Sequence, residues 1–372
     1  MPNSTSDVLI IGAGVIGLGI ADALARRGIS VTILERERAG SRASWAGAGM
    51  LNLRPHRRHD GSRDVHAERI RRSIALHAQW AQRLLEETDI DVGFTRCGSV
   101  EVFLKDGEDN PNQRSPEDIL AGCAANDVPA QRLSLSQLAQ LEPHLSMDSV
   151  AAAIHLPNDG QVRSPRLVKA LIQSCRQLGV SIIEHVDVLD VWMEAGVLKG
   201  ALISPGEHFC AHKVIVCAGA WTGRLHTLRT VLPDVERIAP VRGQIVCFQL
   251  PQPLLKSIVT VGHHYLVPRA AGVLLSGSTT EHVGYESIVT PEGQGALYEF
   301  AVGLVPALKG VEPAQGWADF RPGMSGPHPF VGAVPGVEGL FVAAGHYRDG
   351  LCLAPLTAET MSELVCGCAT EV

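Results

Sequence analysis

Asp7 to Arg36 constrains the chain more than any other stretch: DVLIIGAGVIGLGIADALARRGISVTILER reads as strand, tight turn, helix, strand. Val8–Ile11 is a short apolar run suited to a strand buried on both faces. Gly12, Gly14 and Gly17 follow as G-x-G-x-x-G around Val15 and Ile16, and Ile16, Ile20 and Leu24 recur at helical spacing up to Gly28. Val31–Leu34 is the second strand, and Glu35 closes it. In such a unit the first glycine permits the turn, the second lets a pyrophosphate approach the backbone, and the third lets helix and strand pack closely. The helix N-terminus offers unpaired N–H groups and a partial positive charge to phosphates. An acid at the place of Glu35 suits ribose hydroxyls. A purely structural glycine turn is the plainer alternative, but it needs neither the flanking elements nor the acid. A dinucleotide site is expected, and the motif does not choose between FAD and NAD.

The remaining chain supplies what such a unit needs around it. At 372 residues, 45% hydrophobic, it has the length for about two domains with sizeable cores. The net charge of −7 disfavours a general nucleic-acid surface. No apolar run reaches the roughly 18 residues of a membrane span. The first strand begins so early that no leader is expected before it, and 9 cysteines without a C-x-x-C pair suit a reducing compartment, so a cytoplasmic protein is expected. His56 and His59 lack the companions of a metal site, and no metal is expected.

Ile70–Glu87 reads as an amphipathic helix with Ile70, Ile74, Ala78, Ala81 and Leu85 on one face. The Arg-rich stretch from Leu53 to Arg72 reads as a solvated loop entering it. Val100–Leu104 is a strand, and Pro116–Asn126 and Ser134–Glu142 are short helices of a second lobe entered near residue 90. A helix with Pro165 near its start returns to the first lobe. Strands Val180–Ile183, Val186–Met193, Val197–Ile203 and Lys213–Cys217 follow, the last closing in Ala218–Trp221. Val241–Leu250, His264–Pro268 and Gly272–Ser276 read as an antiparallel sheet, and Glu292–Leu304 as a helix.

Two further stretches carry chemistry. Small residues crowd Gly40 to Gly49, either as a flexible loop or as a backbone that lets a flat ligand come close. Near the C-terminus, strand Leu340–Ala343, the glycines of GHYRDG and a helix over Leu351–Leu364 starting near Pro355 make a second strand–glycine–helix unit. Arg321 and Arg348 stand in apolar surroundings, where an arginine is held by an internal salt bridge or offered to a carboxylate.

DVLIIGAGVIGLGIADALA with ILER, SWAGAGML, VIVCAGAW, RGQ, HYLVPR, FRPG and AAGHYRDGLCLAP occur in that order over nearly the whole chain. The series resembles the glycine oxidase branch of the D-amino acid oxidase family, flavoenzymes tied to thiamine thiazole synthesis. The resemblance implies an α/β fold: a Rossmann-like FAD-binding domain built from discontinuous segments (1–90, 148–235 and 320–372), plus a substrate domain with an antiparallel sheet (91–147 and 236–319). It places FAD against Gly12, Gly14, Val15, Ile16, Gly17, Glu35, Arg36, Ala43, Ser44, Ala48, Gly49, Met50 and Val188. It adds the loop His346, Tyr347, Arg348, Asp349, Gly350, Leu351 and Cys352 against the isoalloxazine ring. Arg321 would hold the substrate carboxylate with Tyr265 and Arg348, orienting Cα, and no side-chain base is nominated. With no Cys beside Arg321, FAD is expected to be noncovalent.

The implied reaction is oxidation of the amine of glycine or a small amino acid, with oxygen as acceptor, giving imine or oxo acid, ammonia and hydrogen peroxide, in a homo-oligomer. A D-amino acid or N-methyl amino acid (sarcosine) oxidase or dehydrogenase is the nearest alternative. A flavin protein without turnover and an NAD-linked dehydrogenase are more distant ones. The sequence departs from the branch at Ser325–His328, at Asp349 and in the Arg-rich segment, which bears on substrate preference more than on cofactor.

Overall fold

The computed structural model describes residues 6–56, 63–105, 114–324 and 329–368. Two sheets of 8 strands each organise them. The first follows the order Phe330–Ala333, Leu340–Ala344, Glu207–Val216, Ser6–Ile11, Val31–Leu34, Ser181–Ile183, with Val197–Ser204 and Asp190–Glu194 attached through Glu207–Val216. From Leu340–Ala344 to Ser181–Ile183 its strands run parallel. Both faces are buried, and alternation sorts the side chains between them. Val8 and Ile10 face a core shared with helices Val15–Ala25, Ser164–Gln177 and Gly350–Val365. Leu9 and Ile11 face a separate core closed by the antiparallel flap Asp190–Val216 and helix His226–Val231.

The second sheet runs Gln315–Met324, Ile238–Gln249, Val273–Gly277, His264–Pro268, Ile258–Val261, Ser99–Leu104, Val150–Leu156, Gln131–Leu133. It is antiparallel except where Ile258–Val261 meets Ser99–Leu104 in parallel. That exception follows from topology, because the chain between these strands leaves to build the first sheet and a parallel pair needs such a long crossover. Helix Pro291–Leu304, with Thr290 capping Gly293 N–H and Pro at its first turn, covers Val246, Phe248 and Leu266 with Leu297 and Ala301.

Strand pairing departs from the expected segments at two places. Val150–Leu156, inside 148–235, pairs in the second sheet with Ser99–Leu104, and residues 320–324 continue the second-sheet strand Gln315–Met324. Both runs are apolar enough for either sheet, and only the partner decides. Val186–Met193 is a strand only from Asp190. Val186 N–H goes instead to Glu35 O at 2.9 Å, so Val186–Leu189 runs as a loop past the edge of the nucleotide unit.

The long helix spans Val65–Thr88, capped by Asp64, whose carboxylate accepts from His66 and Ala67 N–H. Its buried stripe is Ile70, Ser73, Ile74, His77 and Leu84, whereas Leu85, expected inward, is 45% exposed. The two polar members of that stripe have a task in the C-terminal helix. That helix starts at Gly350 rather than near Pro355, so Pro355 lies within it and leaves the Leu351 carbonyl without its helical donor. His77 Nε2 lies 2.9 Å from Leu351 O and 3.2 Å from Cys352 O, and Ser73 Oγ donates to Cys352 O at 2.7 Å and accepts from Leu356 N–H at 3.3 Å. One helix thus repairs the hydrogen-bond ladder of another, and the helix can run through its proline.

The Arg-rich segment is likewise not all solvated loop. Arg54 is enclosed, paired with Asp159 and with Glu101 at 2.8 Å and bonded to Ser99 Oγ at 2.9 Å, while Arg71 and Arg72 lie on the long helix. Arg57, Arg58 and His59 lie outside the described residues, as does Ser325–His328.

Candidate active site

A cleft of about 560 Å³ is lined by residues of both sheets, and the sequence-derived residues meet in it from Gly12 to Cys352, Gly17 alone excepted. The three glycines of the first unit divide their work. Gly12 has φ +106°, and a Cβ there would sit 2.5 Å from Cys217 O. A Cβ at Gly17 would overlap Gly12 O, so Gly17 serves the turn from behind. A Cβ at Gly14 would meet only Ser44 Oγ, at 3.1 Å, so Gly14 leaves its space to the cleft. Val15 N–H donates to Ser44 Oγ at 2.8 Å, whereas the Gly14 and Ile16 amides find no acceptor among the described residues. Unpaired donors at a helix N-terminus beside an unfilled backbone cradle fit a pyrophosphate.

Glu35 is fixed beside them, accepting from Ala13 N–H at 2.8 Å and Glu37 N–H at 2.9 Å. The Arg36 guanidinium lies 4.3 Å from the centre of the Trp221 ring, and Val188 lines the same end from its loop.

The small-residue loop forms the middle of the cleft through Ala43, Ser44, Ala48, Gly49 and Met50. Its carbonyls are tied from behind: Trp317 Nε1–H donates to Ala46 O at 2.9 Å, Ser164 Oγ–H to Gly47 O at 2.7 Å, and Val162 N–H to Gly49 O at 2.8 Å. Gly49 has φ +70°, and a side chain there would overlap Val162 O. Arg269, 8% exposed, donates to Ala48 O, to Gln161 Oε1 at 2.6 Å and to Val162 O at 2.9 Å. Burial first, and then Arg163, lower its pKa to about 10, so it remains a cation held by carbonyl oxygens. The loop is therefore tied rather than flexible.

The opposite wall is the second glycine unit, His346 to Cys352. His346 Nε2 is 3.1 Å from Thr357 Oγ1, and burial drives its pKa down to about 4, leaving it neutral at neutral pH. Asp349 lies 3.0 Å from His66 Nε2, and this bond raises the His66 pKa against the opposing effect of burial. The thiols of Cys217 and Cys352, both at the cleft, are pushed up by burial and stay protonated.

At the far end stand Arg321, Tyr265 and Arg348. The Arg321 guanidinium lies across Gly243, where any side chain would overlap it, and the Tyr265 ring lies over Gly277, where a Cβ would be 2.6 Å away. Arg321 donates to Thr279 O at 3.2 Å and Ser278 Oγ at 2.5 Å, and burial lowers its pKa. Arg348 donates to Thr280 Oγ1 at 3.0 Å. Among the described residues no carboxylate pairs with either arginine, so the internal salt-bridge reading does not describe them. A largely buried guanidinium with donors to spare, beside a phenol, is suited to a carboxylate ligand.

The sequence reading did not single out Gly243 and Gly277, whose signal exists only once the strands pair. It also passed over Trp221, read simply as the end of a strand, and Asp319 and Ser278, which line the cleft without any motif to mark them. Among the described residues no cluster could hold a metal ion, and no helix is long and apolar enough to cross a membrane.

Known proteins resemble this chain over nearly its whole length. Residues 7–364 match the DAO family, described as FAD dependent oxidoreductase. Glycine oxidase of Pseudomonas aeruginosa is 31% identical over 97% of this chain and 94% of its own length. The bifunctional protein ThiO/ThiG of Synechocystis is 32% identical over 97% of this chain and 52% of its own length. The crystal structure of glycine oxidase from Geobacillus kaustophilus superposes with a TM-score of 0.88 at 32% identity, covering 99% of this chain and 96% of the other.

Proposed function

Because the chain belongs to the DAO family of FAD-dependent oxidoreductases, we propose that it oxidises the amine of glycine or another small amino acid with oxygen as acceptor. The observation that carries this reading is Arg321, a largely buried cation in the cleft with no carboxylate partner among the described residues. Arg321 binds the substrate carboxylate through its fork, the Tyr265 hydroxyl adds a third donor, and Arg348 closes the mouth. Together they hold Cα in one orientation, where positioning accounts for much of the rate. Gly14, Val15 and Ile16 hold the FAD pyrophosphate, and Glu35 the ribose. The loop 43–50, Val188 and His346–Cys352 frame the rest of the cofactor. FAD, when bound, supplies the two-electron acceptor that side chains lack. The amine loses a hydride from Cα and becomes an imine, water hydrolyses the imine to oxo acid and ammonia, and oxygen leaves as hydrogen peroxide. No side chain is required as base, and His346, neutral and bonded to Thr357, serves the wall rather than the proton.

In this reading the first sheet's segments form the FAD-binding domain and the second sheet's the substrate domain. The relative ThiO/ThiG supports a further assignment, supply of the imine for thiazole synthesis in the cytoplasm. A homo-oligomer is proposed as well, supported by the exposed apolar run Val283, Tyr285, Ile288 and Val289, and light scattering tests it. FAD is taken as noncovalent, since the cleft thiols are protonated. Acid precipitation should therefore release the yellow colour, and colour kept in the pellet would refute this. An oxygen-consumption screen over glycine, sarcosine and D-amino acids tests the reaction: glycine or sarcosine turnover is expected, and turnover confined to bulky D-amino acids would reassign the substrate.

A further inference from the structure

We propose that Asp319 is a cofactor-binding residue of this chain that meets FAD as the neutral acid, so that FAD capture takes up a proton. The inference rests on the reading that FAD lies along this cleft. Asp319 lines the cleft and is only 9% exposed. Its Oδ1 accepts from Phe320 N–H at 2.6 Å, and its Oδ2 has no partner among the described residues. A buried carboxyl with one oxygen left for the cleft is costly unless a ligand completes it.

The groups around it explain why no cation does so. Arg42 is bonded to Glu37 at 2.8 Å, and both Arg42 and Arg36 lie over the Trp221 ring. Directly across the sheet Asp319 faces Gly243, which brings no side chain. The next residue, Arg242, is closed onto Glu281 at 2.7 Å, and Arg224 lies 5.3 Å over the Tyr285 ring. Arg321, two positions on along the same strand face and so about 7 Å away, is bonded to Ser278 and Thr279. Helix Ala43–Ala46 packs on the strand without a titratable side chain. Burial accordingly pushes the Asp319 carboxyl up to about 6, with Glu37 adding to the rise while Arg42 and Arg36 oppose it.

Bound FAD brings an anionic pyrophosphate into a cleft lined by Glu35, with Glu37 close enough to act on Asp319, and it displaces water. Both changes favour the uncharged acid. In that form Oδ2–H can donate to a phosphate oxygen, which a carboxylate would repel. Because FAD favours the protonated form, protonation favours FAD by the same factor. The affinity should therefore tighten as pH falls from about 8 towards 6 and level off below.

The test is FAD release from the holoprotein on serial dilution, read by the return of flavin fluorescence, at several pH values from about 6 to 8.5. Wild type should lose affinity by up to about tenfold per pH unit across this window. Asp319→Asn, a neutral isostere with a donor and an acceptor, should bind at pH 8 as tightly as wild type at pH 6 and with little slope. Asp319→Ala should bind more weakly than wild type at pH 6. A flat wild-type profile overturns the inference without any variant. So does an Asp319→Asn protein that keeps the wild-type slope, or one tenfold weaker than wild type at pH 8, which would make the carboxylate the binding form. A chain that holds no FAD at any pH would fail the cofactor reading itself, and the inference with it. PH-independent binding fails the inference alone.

Discussion

The two ends of the cleft solve opposite problems with opposite materials. The proposed nucleotide end is built mainly on backbone: Gly12 and Gly17 shape the turn, Gly14 leaves its space to the cleft, the Gly14 and Ile16 amides find no acceptor among the described residues, and these parts lie within one short stretch of chain. The proposed substrate end is side chain. Arg321, Tyr265 and Arg348 arrive from separate strands and a loop, and Gly243 and Gly277 clear room for two of them from two more strands. A backbone site tolerates little change at its glycines and much at its exposed surfaces. A side-chain site can lose its chemistry while the fold stands.

Substitutions should separate the two ends most sharply at Gly17. Gly17→Val forces a side chain onto Gly12 O, and we expect no flavin to co-purify with the chain. Gly14→Ala, which meets only Ser44 Oγ, should hold markedly more. Equal FAD content in the two, measured by absorbance after acid release, would break the contrast.

At the other end, Arg321→Ala should keep FAD and lose substrate use. Removing one partner of a buried charge pair costs about 2–5 kcal/mol, or roughly 30- to 5000-fold in kcat/KM. Arg321→Lys should restore only part, since a point charge lacks the fork. Anaerobic flavin reduction by glycine is the measurement, and a wild-type rate in Arg321→Ala would remove its role.

Between the ends, His77 and His346 should make the wall of the second glycine unit acid-sensitive. Both are buried neutral, each with its pKa lowered from 6.5 to about 4 by burial. The unfolded chain therefore binds protons that the folded chain refuses, and stability falls as pH drops from about 6.5 towards 4, by up to about 3 kcal/mol for each histidine. Urea midpoints at pH 7.5, 6 and 5 should decline in that order and decline less in His77→Gln. Identical midpoints would show that the histidines titrate normally.

The smallest effect belongs to Trp317→Phe, which removes the bond to Ala46 O and should cost about 1 kcal/mol. Thermal denaturation of the holoprotein should register it as a shift of a few degrees with turnover retained. Loss of FAD instead would mean that the loop 43–50 hangs on this one bond.

The same contrast governs what could be read from the sequence. The nucleotide end was legible because its rules are local: strand, glycine spacing, helix and acid fall in one window and imply one another. Arg321 was visible as an arginine in apolar surroundings, but its residues alone left salt bridge and carboxylate site open, and only the resemblance favoured the second. Gly277 and Asp319 carried no signal, and Gly243 none beyond its place in RGQ, because their meaning depends on which residue stands across the strand. The same dependence misplaced Val150–Leu156. Pro355 suggested a helix starting near it, yet Ser73 and His77 supply its missing bonds from far along the chain and the helix runs through it from Gly350, which no periodicity shows.

The order of the strands in the first sheet also sets a timetable for the living cell. The strand Leu340–Ala344 joins the sheet beside Glu207–Val216, and the helix that follows it packs on Val15–Ala25, the helix of the first glycine turn. On a ribosome adding about 5–20 residues per second, the opening segment waits on the order of tens of seconds for these later pieces. During that wait the apolar flank of Val15–Ala25 lies bare, and the cleft lacks a wall. The cleft therefore gains the wall that could enclose a cofactor only after Leu340–Val365 has been made.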